Sequence, residues 1–316
     1  MQAYIFRRLL ALIPTLLIAS LLVFFMMRLI PGDIIDLMMA QNDISTGLER
    51  PALEAALGLD QPVYTQYFRW LFDVFQGDLG HSLWKGTEVT EMLWERMPVT
   101  FELGLLALVV ALSVALPIGV YSALRQDTLN DYVMRSFSLV MLAIPAFLLA
   151  TLAMVYPSVW WRWAPPLEYT PFLEGPVKNV SQLLMPAMIL GLSLSAVTMR
   201  MTRTMMLEVM RQDYIRTARA KGLGEVLLVV RHALRNGLIP IVTLVGLQVP
   251  LLIGGAVIME QIFAIPGMGS MFLEVLYARD YPVVQGIFLV IGLSVLLINL
   301  VVDLSYGWLD PKVRHQ

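Results

Sequence analysis

Between two long apolar runs lies DYIRTARAKGLGEVLLVVRHALRNGLIP, Asp213 to Pro240, which holds the C-terminal part of a polar and basic island that begins near Met199 and ends near Leu238. Residues 213–221 read as a short charged helix. Gly222 follows it and can take the left-handed conformation that ends a helix, and Glu225 stands where the first turn of a second helix favours negative charge. The segment is therefore a helix, an elbow and a helix, kept out of the bilayer by its charge. A membrane chain that holds such a segment outside the hydrocarbon, on the positive side, usually offers it to a cytoplasmic partner.

Composition agrees with that setting. The chain is 58% hydrophobic and 15% charged, with a mean hydropathy of +0.72, and a soluble domain of this length would leave large apolar areas wet. The net charge of −2 selects no partner, so the distribution of charge has to do so. There are no cysteines, which excludes disulfides and thiolate metal sites.

Six apolar runs, at 9–30, 99–124, 133–156, 183–201, 238–259 and 283–306, are long enough to cross a hydrocarbon core of roughly 30 Å, which needs about 20 helical residues. The first follows Arg7 and Arg8 but exceeds a signal-peptide core of about 7 to 15 residues and lacks a small-residue cleavage site, so it reads as a retained span. An even number of spans puts both termini on one side. Arg7, Arg8, Arg125, Arg135, Arg200, Arg203, Arg211, Arg216, Arg219, Lys221, Arg231, Arg235, Lys312 and Arg314 share that side, which the positive-inside rule makes cytoplasmic. The expected organisation is an N-terminal span (1–30), an external acidic subdomain (31–98), a core of five spans (99–306) with a cytoplasmic loop at 202–237, and a cytoplasmic tail (307–316).

In the external segment Arg50, Arg69, Lys85 and Arg96 are outnumbered by acids such as Asp33, Asp36, Asp43, Glu49, Asp60, Asp73 and Asp78. Pro51 opens a short helix that closes near Gly58. Tyr64, Tyr67, Phe68, Leu71, Phe72 and Phe75 then recur at helical spacing, an aromatic stripe. Two readings fit it: packing onto the outer ends of the spans, as aromatic stripes usually do, or a docking surface for a substrate-binding protein.

RRLLALIPTLL in the first span, Pro31-Gly32-Asp33 at its exit, Gly58-Leu59-Asp60 ahead of Pro62, Gly77-Asp78-Leu79-Gly80 with Ser82 beyond, and Arg279-Asp280-Tyr281-Pro282-Val283-Val284-Gln285 opening the last span carry a resemblance. Together with the 213–240 island they cover nearly the whole chain, which resembles the B-type permeases of ATP-binding-cassette importers of the dipeptide, oligopeptide, glutathione and nickel family. The general permease signature is Glu-Ala-Ala, three residues, Gly, nine residues, Ile, one residue, Leu-Pro. Only Ala218, Gly222 and Leu234 fall in register with it; Arg216, Thr217, His232 and Arg235 depart in the manner of the peptide permeases.

The resemblance implies an all-α integral membrane protein of the type I importer permease architecture with six transmembrane helices. It belongs in a bacterial inner membrane, multi-pass, beside lipid. The implied partners are a second homologous permease subunit, two cytoplasmic ABC ATPase subunits that hold ATP and magnesium, and an extracytoplasmic substrate-binding protein; nothing points to nucleic acid. The island becomes the coupling element, with Thr217, Ala218, Arg219, Ala220, Lys221, Gly222, Leu223 and Glu225 facing the ATPase. Small residues allow close approach, and exposed ion pairs, worth about 0 to 1 kcal/mol each, set orientation more than affinity. The alternative is a surface helix whose arginines touch anionic lipid at about 1 kcal/mol per residue.

The chain itself has no G-x-x-x-x-G-K-[ST] loop to hold a nucleotide, so it is expected to be non-catalytic, with no cofactor of its own. His81, His232 and His315 are too scattered for a metal or a catalytic base, and Met199, Met201, Met205, Met206 and Met210 spread around a helix as packing residues. Glu102 and Asp303 sit near span ends. Gln248 lies deep in the fifth run beside Pro250, with Gly246, Gly254 and Gly255 close by, and is the candidate for lining a pathway. Glu260 and Phe263, ahead of Ile265-Pro266-Gly267-Met268-Gly269, form by resemblance an external gate; a plain Pro/Gly turn fits equally. The expected function is half of the translocation path of an ATP-driven peptide importer, the alternative an ATP-independent secondary transporter or channel.

Overall fold

In hydrocarbon a backbone N–H or C=O has no water to bond, so a spanning chain satisfies its polar groups within each segment, and helices do this locally. The computed structural model describes residues 2–29, 35, 50–56, 59–163 and 168–309, and among these the regular structure is helical. The Pro31-Gly32-Asp33 exit, Gly58 and residues 310–316, with Lys312, Arg314 and His315, lie outside the described residues.

In chain order the helices are α1 (Gln2–Leu29), α2 (Arg50–Ala56), α3 (Val63–Phe75), α4 (Val89–Leu124), α5 (Leu129–Ala143), α6 (Ala146–Trp161), α7 (Pro176–Met210), α8 (Asp213–Ala220), α9 (Glu225–Ile262), α10 (Met268–Tyr277) and α11 (Tyr281–Leu309). Among the described residues four are long and apolar enough to cross a membrane: α4, α7, α9 and, over Tyr281–Ser305, α11. In α1 the described apolar stretch is Leu10–Met26, shorter than that measure.

The run at 133–156, expected as one continuous span, is instead two helices bent by 86°. Pro145 is the cause. Its ring excludes the preceding residue from the helical region, and Ile144 accordingly turns to φ −89°, ψ 120°, after which Pro145 opens α6. Counting the bent pair as one span gives five.

The chain divides into two compact units. The larger comprises Met1–Ile5, Val99–Gly269 and Leu297–Gln316. Its core gathers Val99, Leu103 and Ala107 of α4, Ala150 of α6, Leu183, Ala187 and Leu190 of α7, and Leu252, Ala256 and Met259 of α9. Lipid tails are as apolar as leucine, so helices in a membrane associate through close packing, and small residues at the crossings permit it. At Gly191 a Cβ would lie 2.5 Å from the carbonyl oxygen of Ala107, so only glycine lets α7 approach α4 this closely.

The smaller unit comprises Phe6–Pro98 and Ser270–Leu296. Tyr67 of α3 is buried in it, its hydroxyl 2.9 Å from that of Ser20 and its ring edge-on to Phe24. Tyr64, Phe68, Phe72 and Phe75 remain 64–77% exposed. The aromatic stripe is thus split: one tyrosine packs, and four rings face outward.

Candidate coupling elbow and gate

Amphipathic α8 buries Ile215 completely, in a cluster with Ala123 of α4, Met206 of α7, and Leu228, Val229 and Ala233 at the start of α9. Arg216, Thr217, Arg219, Ala220 and Lys221 stand exposed, and Ala218 and Leu223 are half-buried. Helix α8 ends in a Schellman motif. The N–H of Gly222 donates to the Arg219 carbonyl at 3.0 Å and that of Leu223 to the Ala218 carbonyl at 3.4 Å, with Gly222 at φ +82°. A Cβ at Gly222 would meet nothing within 4 Å, so glycine is needed there for backbone geometry rather than for space.

Across the elbow the guanidinium of Arg219 donates to the Glu225 carboxylate, Nε to Oε1 at 2.9 Å and Nη2 to Oε2 at 3.4 Å. These two charges close the elbow within the chain; Lys221 extends from its exposed edge. On the other side Asn236 donates from Nδ2 to the Tyr214 hydroxyl at 2.7 Å and ties α8 to α9. Residues Leu228–Leu234 of α9 are wound as a π-helix, an irregular turn frequent at functional sites. It brings Leu228, Val229 and Ala233 together under Ile215. No compositional signal marks such a bulge.

At the other end of α9 the chain turns back through a second Schellman-type cap. The N–H of Ile265 donates to the Glu260 carbonyl at 2.8 Å, and Ala264 occupies the left-handed region at φ 53°. Glu260 is fully buried. Its carboxylate Oε1 accepts the Thr100 hydroxyl at 2.6 Å, and the Thr100 oxygen in turn accepts the Met268 N–H at 2.8 Å. Gly267 lies against this carboxylate: a Cβ there would come within 2.2 Å of Glu260 Cδ. Phe263 is buried in the α4–α7–α9 core. Gln248 is buried too, its Oε1 accepting the Thr198 hydroxyl at 3.2 Å, whereas Pro250 is exposed. Gly246 and Gly255 each meet a neighbouring helix side chain, Val302 and Leu190 respectively, while Gly254 faces open space. The structure therefore joins Glu260 with Thr100 and Gly267, and leaves Gln248 in a separate helix contact.

Three associations were not visible in the sequence. Glu102 accepts the Tyr169 hydroxyl at 2.8 Å and Asn179 Nδ2 at 2.9 Å, so it holds the 168–175 loop to the start of α7; burial and this carboxylate raise the Tyr169 phenol well above its usual range. Asp131 of α5 binds Arg203 of α7. In the smaller unit the Ser82 hydroxyl donates to Asp280 across 198 residues, Leu83 N–H donates to the same carboxylate at 3.1 Å, and Trp84 Nε1 donates to the Ala278 carbonyl at 2.7 Å. The Gly77–Ser82 and Arg279–Pro282 motifs are thus one joint.

Long apolar helices packed through small residues, with a charged elbow anchored by one buried isoleucine at a span end, define a polytopic membrane protein. The chain belongs to the family described as the binding-protein-dependent transport system inner membrane component, which it matches over residues 115–315, and over residues 1–104 it matches the model for the N-terminal part of that system's membrane component. It is 42% identical over 315 residues, 100% of both chains, to a Brucella abortus (strain 2308) protein provisionally named as a peptide transport system permease. It is 38% identical over 340 residues, again 100% of both, to the dipeptide transport system permease protein DppB of Escherichia coli (strain K12). Among solved structures, a chain of the MetNI methionine ABC transporter in inward-facing conformations superposes with a TM-score of 0.56 at 16% identity, over 69% of this chain and 96% of that one, a likeness of fold.

Proposed function

We propose that the chain is a permease subunit of an ATP-driven importer of di- or oligopeptides. It supplies half of the translocation path with a second homologous permease, takes substrate from an extracytoplasmic binding protein, and receives force from two cytoplasmic ATPases that hold ATP and magnesium. Six spans, with α1 and the bent α5–α6 pair as one each, put both termini and α8 in the cytoplasm, and residues 31–98 outside. The observation that carries the coupling role is the elbow: a helix of eight residues with one buried anchor, an exposed face of small and basic residues, and a glycine-closed stop. The full-length likeness to peptide permeases supports the cargo class.

Thr217 to Leu223 and Glu225 form the face toward the ATPase, with Arg219 and Glu225 holding its shape. Glu260 and Phe263 hold the turn at the outer gate, and Gln248 and Pro250 lie along the path. ATP closes the nucleotide subunits, the elbows move together, and the bundle shifts from inward-open to outward-open; a shift of this kind requires that the ATPase bind the two states with different strength. The test is uptake of a radiolabelled dipeptide by proteoliposomes holding the complete complex. Uptake is expected to track internal ATP and to survive a dissipated ion gradient. Uptake that follows the gradient and ignores ATP would replace this function with secondary transport.

A further inference from the structure

We propose that Ser122, Asp131 and Arg203 form a clamp that transmits movement of the coupling elbow to the bent α5–α6 pair, with Asp131 and Arg203 as positioning residues for transport. The proposal rests on the ATP-driven function above. Asp131 lies in the first turn of α5 with its side chain 0% exposed, and Arg203 of α7 is 18% exposed. Arg203 binds it in bidentate fashion, Nε to Oδ1 at 2.8 Å and Nη2 to Oδ2 at 2.7 Å. The Ser122 hydroxyl near the end of α4 donates to Oδ1, and the backbone N–H of Asp127 donates to Oδ2 at 3.0 Å. Each carboxylate oxygen thus accepts two bonds, and one carboxylate joins α4, the α4–α5 turn, α5 and α7. Asp127 sits at φ 60°, a left-handed conformation that aspartate tolerates in a turn, and it points its N–H at the Asp131 carboxylate.

The clamp is contiguous with the elbow. Ala123, next to Ser122, and Met206, one turn beyond Arg203, both pack in the cluster that buries Ile215 of α8. Thr202, next to Arg203, presses on Gly119: a Cβ there would lie 2.7 Å from the Thr202 Cβ and 2.8 Å from the Met199 carbonyl oxygen. Helices α4 and α7 therefore meet backbone to side chain at this level and move together. A displacement at Ile215 reaches Ala123 and Met206, and Asp131 then takes α5 with them. Helix α5 is one arm of the pair bent by 86° at Ile144 and Pro145, so its tilt is passed on through that break. A buried ion pair adds little net stability, because desolvation offsets most of its Coulombic gain, and its best-attested use is to fix register between elements. A joint that must hold three helices in register while the bundle changes state needs that property.

The experiment uses the complete complex, with its partner permease, ATPases and binding protein, in proteoliposomes, and measures alanyl-alanine uptake and phosphate release together. In Asp131→Asn the phosphate released per dipeptide is expected to rise about tenfold, the size of an ordinary coupling free energy, while the amount of assembled complex holds. Ser122→Ala, which keeps the ion pair and removes one donor, should raise the ratio by a smaller factor, and Arg203→Lys, which keeps the charge but not the fork, should fall between them. A ratio equal to the parent's in Asp131→Asn, or uptake and phosphate release falling in parallel, overturns the clamp. If Asp131→Asn does not assemble, Ser122→Ala decides, and an unchanged ratio there overturns it. A parent complex without ATP-dependent uptake would instead refute the ATP-driven function, an outcome distinct from all of these.

Discussion

Gly222 and Gly267 are both glycines for reasons that a single substitution separates. At Gly222 the surroundings are open and the constraint is φ +82°, which costs an L-residue roughly 1–2 kcal/mol. Gly222→Trp should therefore insert in near-parental amount, projecting its ring from the exposed face of the elbow, and abolish uptake; parental uptake by that variant would remove the elbow from the coupling path. At Gly267 the constraint is space, since a Cβ would lie inside the buried Glu260 carboxylate. Gly267→Ala is expected to lower stability by about 1–3 kcal/mol through overpacking, read as a lower melting temperature of the detergent-purified protein. Gly222 was legible in the sequence because a glycine closing a charged run has one common use. The role of Asp131 was not, because an acid in the first turn of a helix is ordinary, and Arg203 counted only as one more positive charge at a span end.

At the scale of elements, the long helices followed from apolar length, but their interruptions followed from chemistry of a shorter range. Pro145 lies inside an apolar run long enough for a span, and the restriction it places on Ile144 is what divides that run. The π-wound turn at Leu228–Leu234 leaves no trace in composition. Contacts between distant elements were invisible for a different reason: two motifs that looked like separate punctuation, Gly77–Ser82 and Arg279–Pro282, form one joint only because the chain returns after 198 residues. Asp280 is buried there and accepts bonds from Ser82 and Leu83. Hydrogen bonds to a charged group contribute about 1.5–3 kcal/mol, and the Ser82 hydroxyl oxygen also accepts the Trp84 and Lys85 N–H groups at 3.3 and 3.0 Å, so Asp280→Asn and Ser82→Ala should each loosen the joint, read as faster limited proteolysis at residues 83–88. Lys85 and Glu274, 3.1 Å apart, are 51% and 59% exposed and contribute little, so Lys85→Ala should leave the proteolysis rate near the parent's. Equal protection of parent and Asp280→Asn would show that the backbone turns alone hold the segment.

For the whole molecule, the orientation of the chain in the membrane decides which of its surfaces is open to the ATPases of the proposed importer and which to its binding protein. The charge distribution argues that α8 lies inside: eight basic residues fall between Arg200 and Arg235, whereas the segment leading to α4 is acidic. The exposed rings Tyr64, Phe68, Phe72 and Phe75 then belong to the outer side, the side from which the proposed function has substrate delivered. Because the chain has no cysteine, a single introduced one reports alone. Cysteine at Thr217, exposed on the elbow, should resist a membrane-impermeant maleimide in intact cells and react after permeabilisation. Cysteine at Thr87, exposed in the loop before α4, should react in both conditions. If both cysteines react from outside, the number of crossings between them is even, so a count of three from α4, the bent pair and α7 is wrong. The bent α5–α6 pair would then be a re-entrant element that returns to its own side, and the elbow could not face a cytoplasmic ATPase. If neither reacts until permeabilisation, the same even count follows with the acidic segment inside, against the positive-inside expectation. Only labelling of Thr87 alone in intact cells leaves α5 and α6 as a single crossing and the elbow where a cytoplasmic ATPase can reach it.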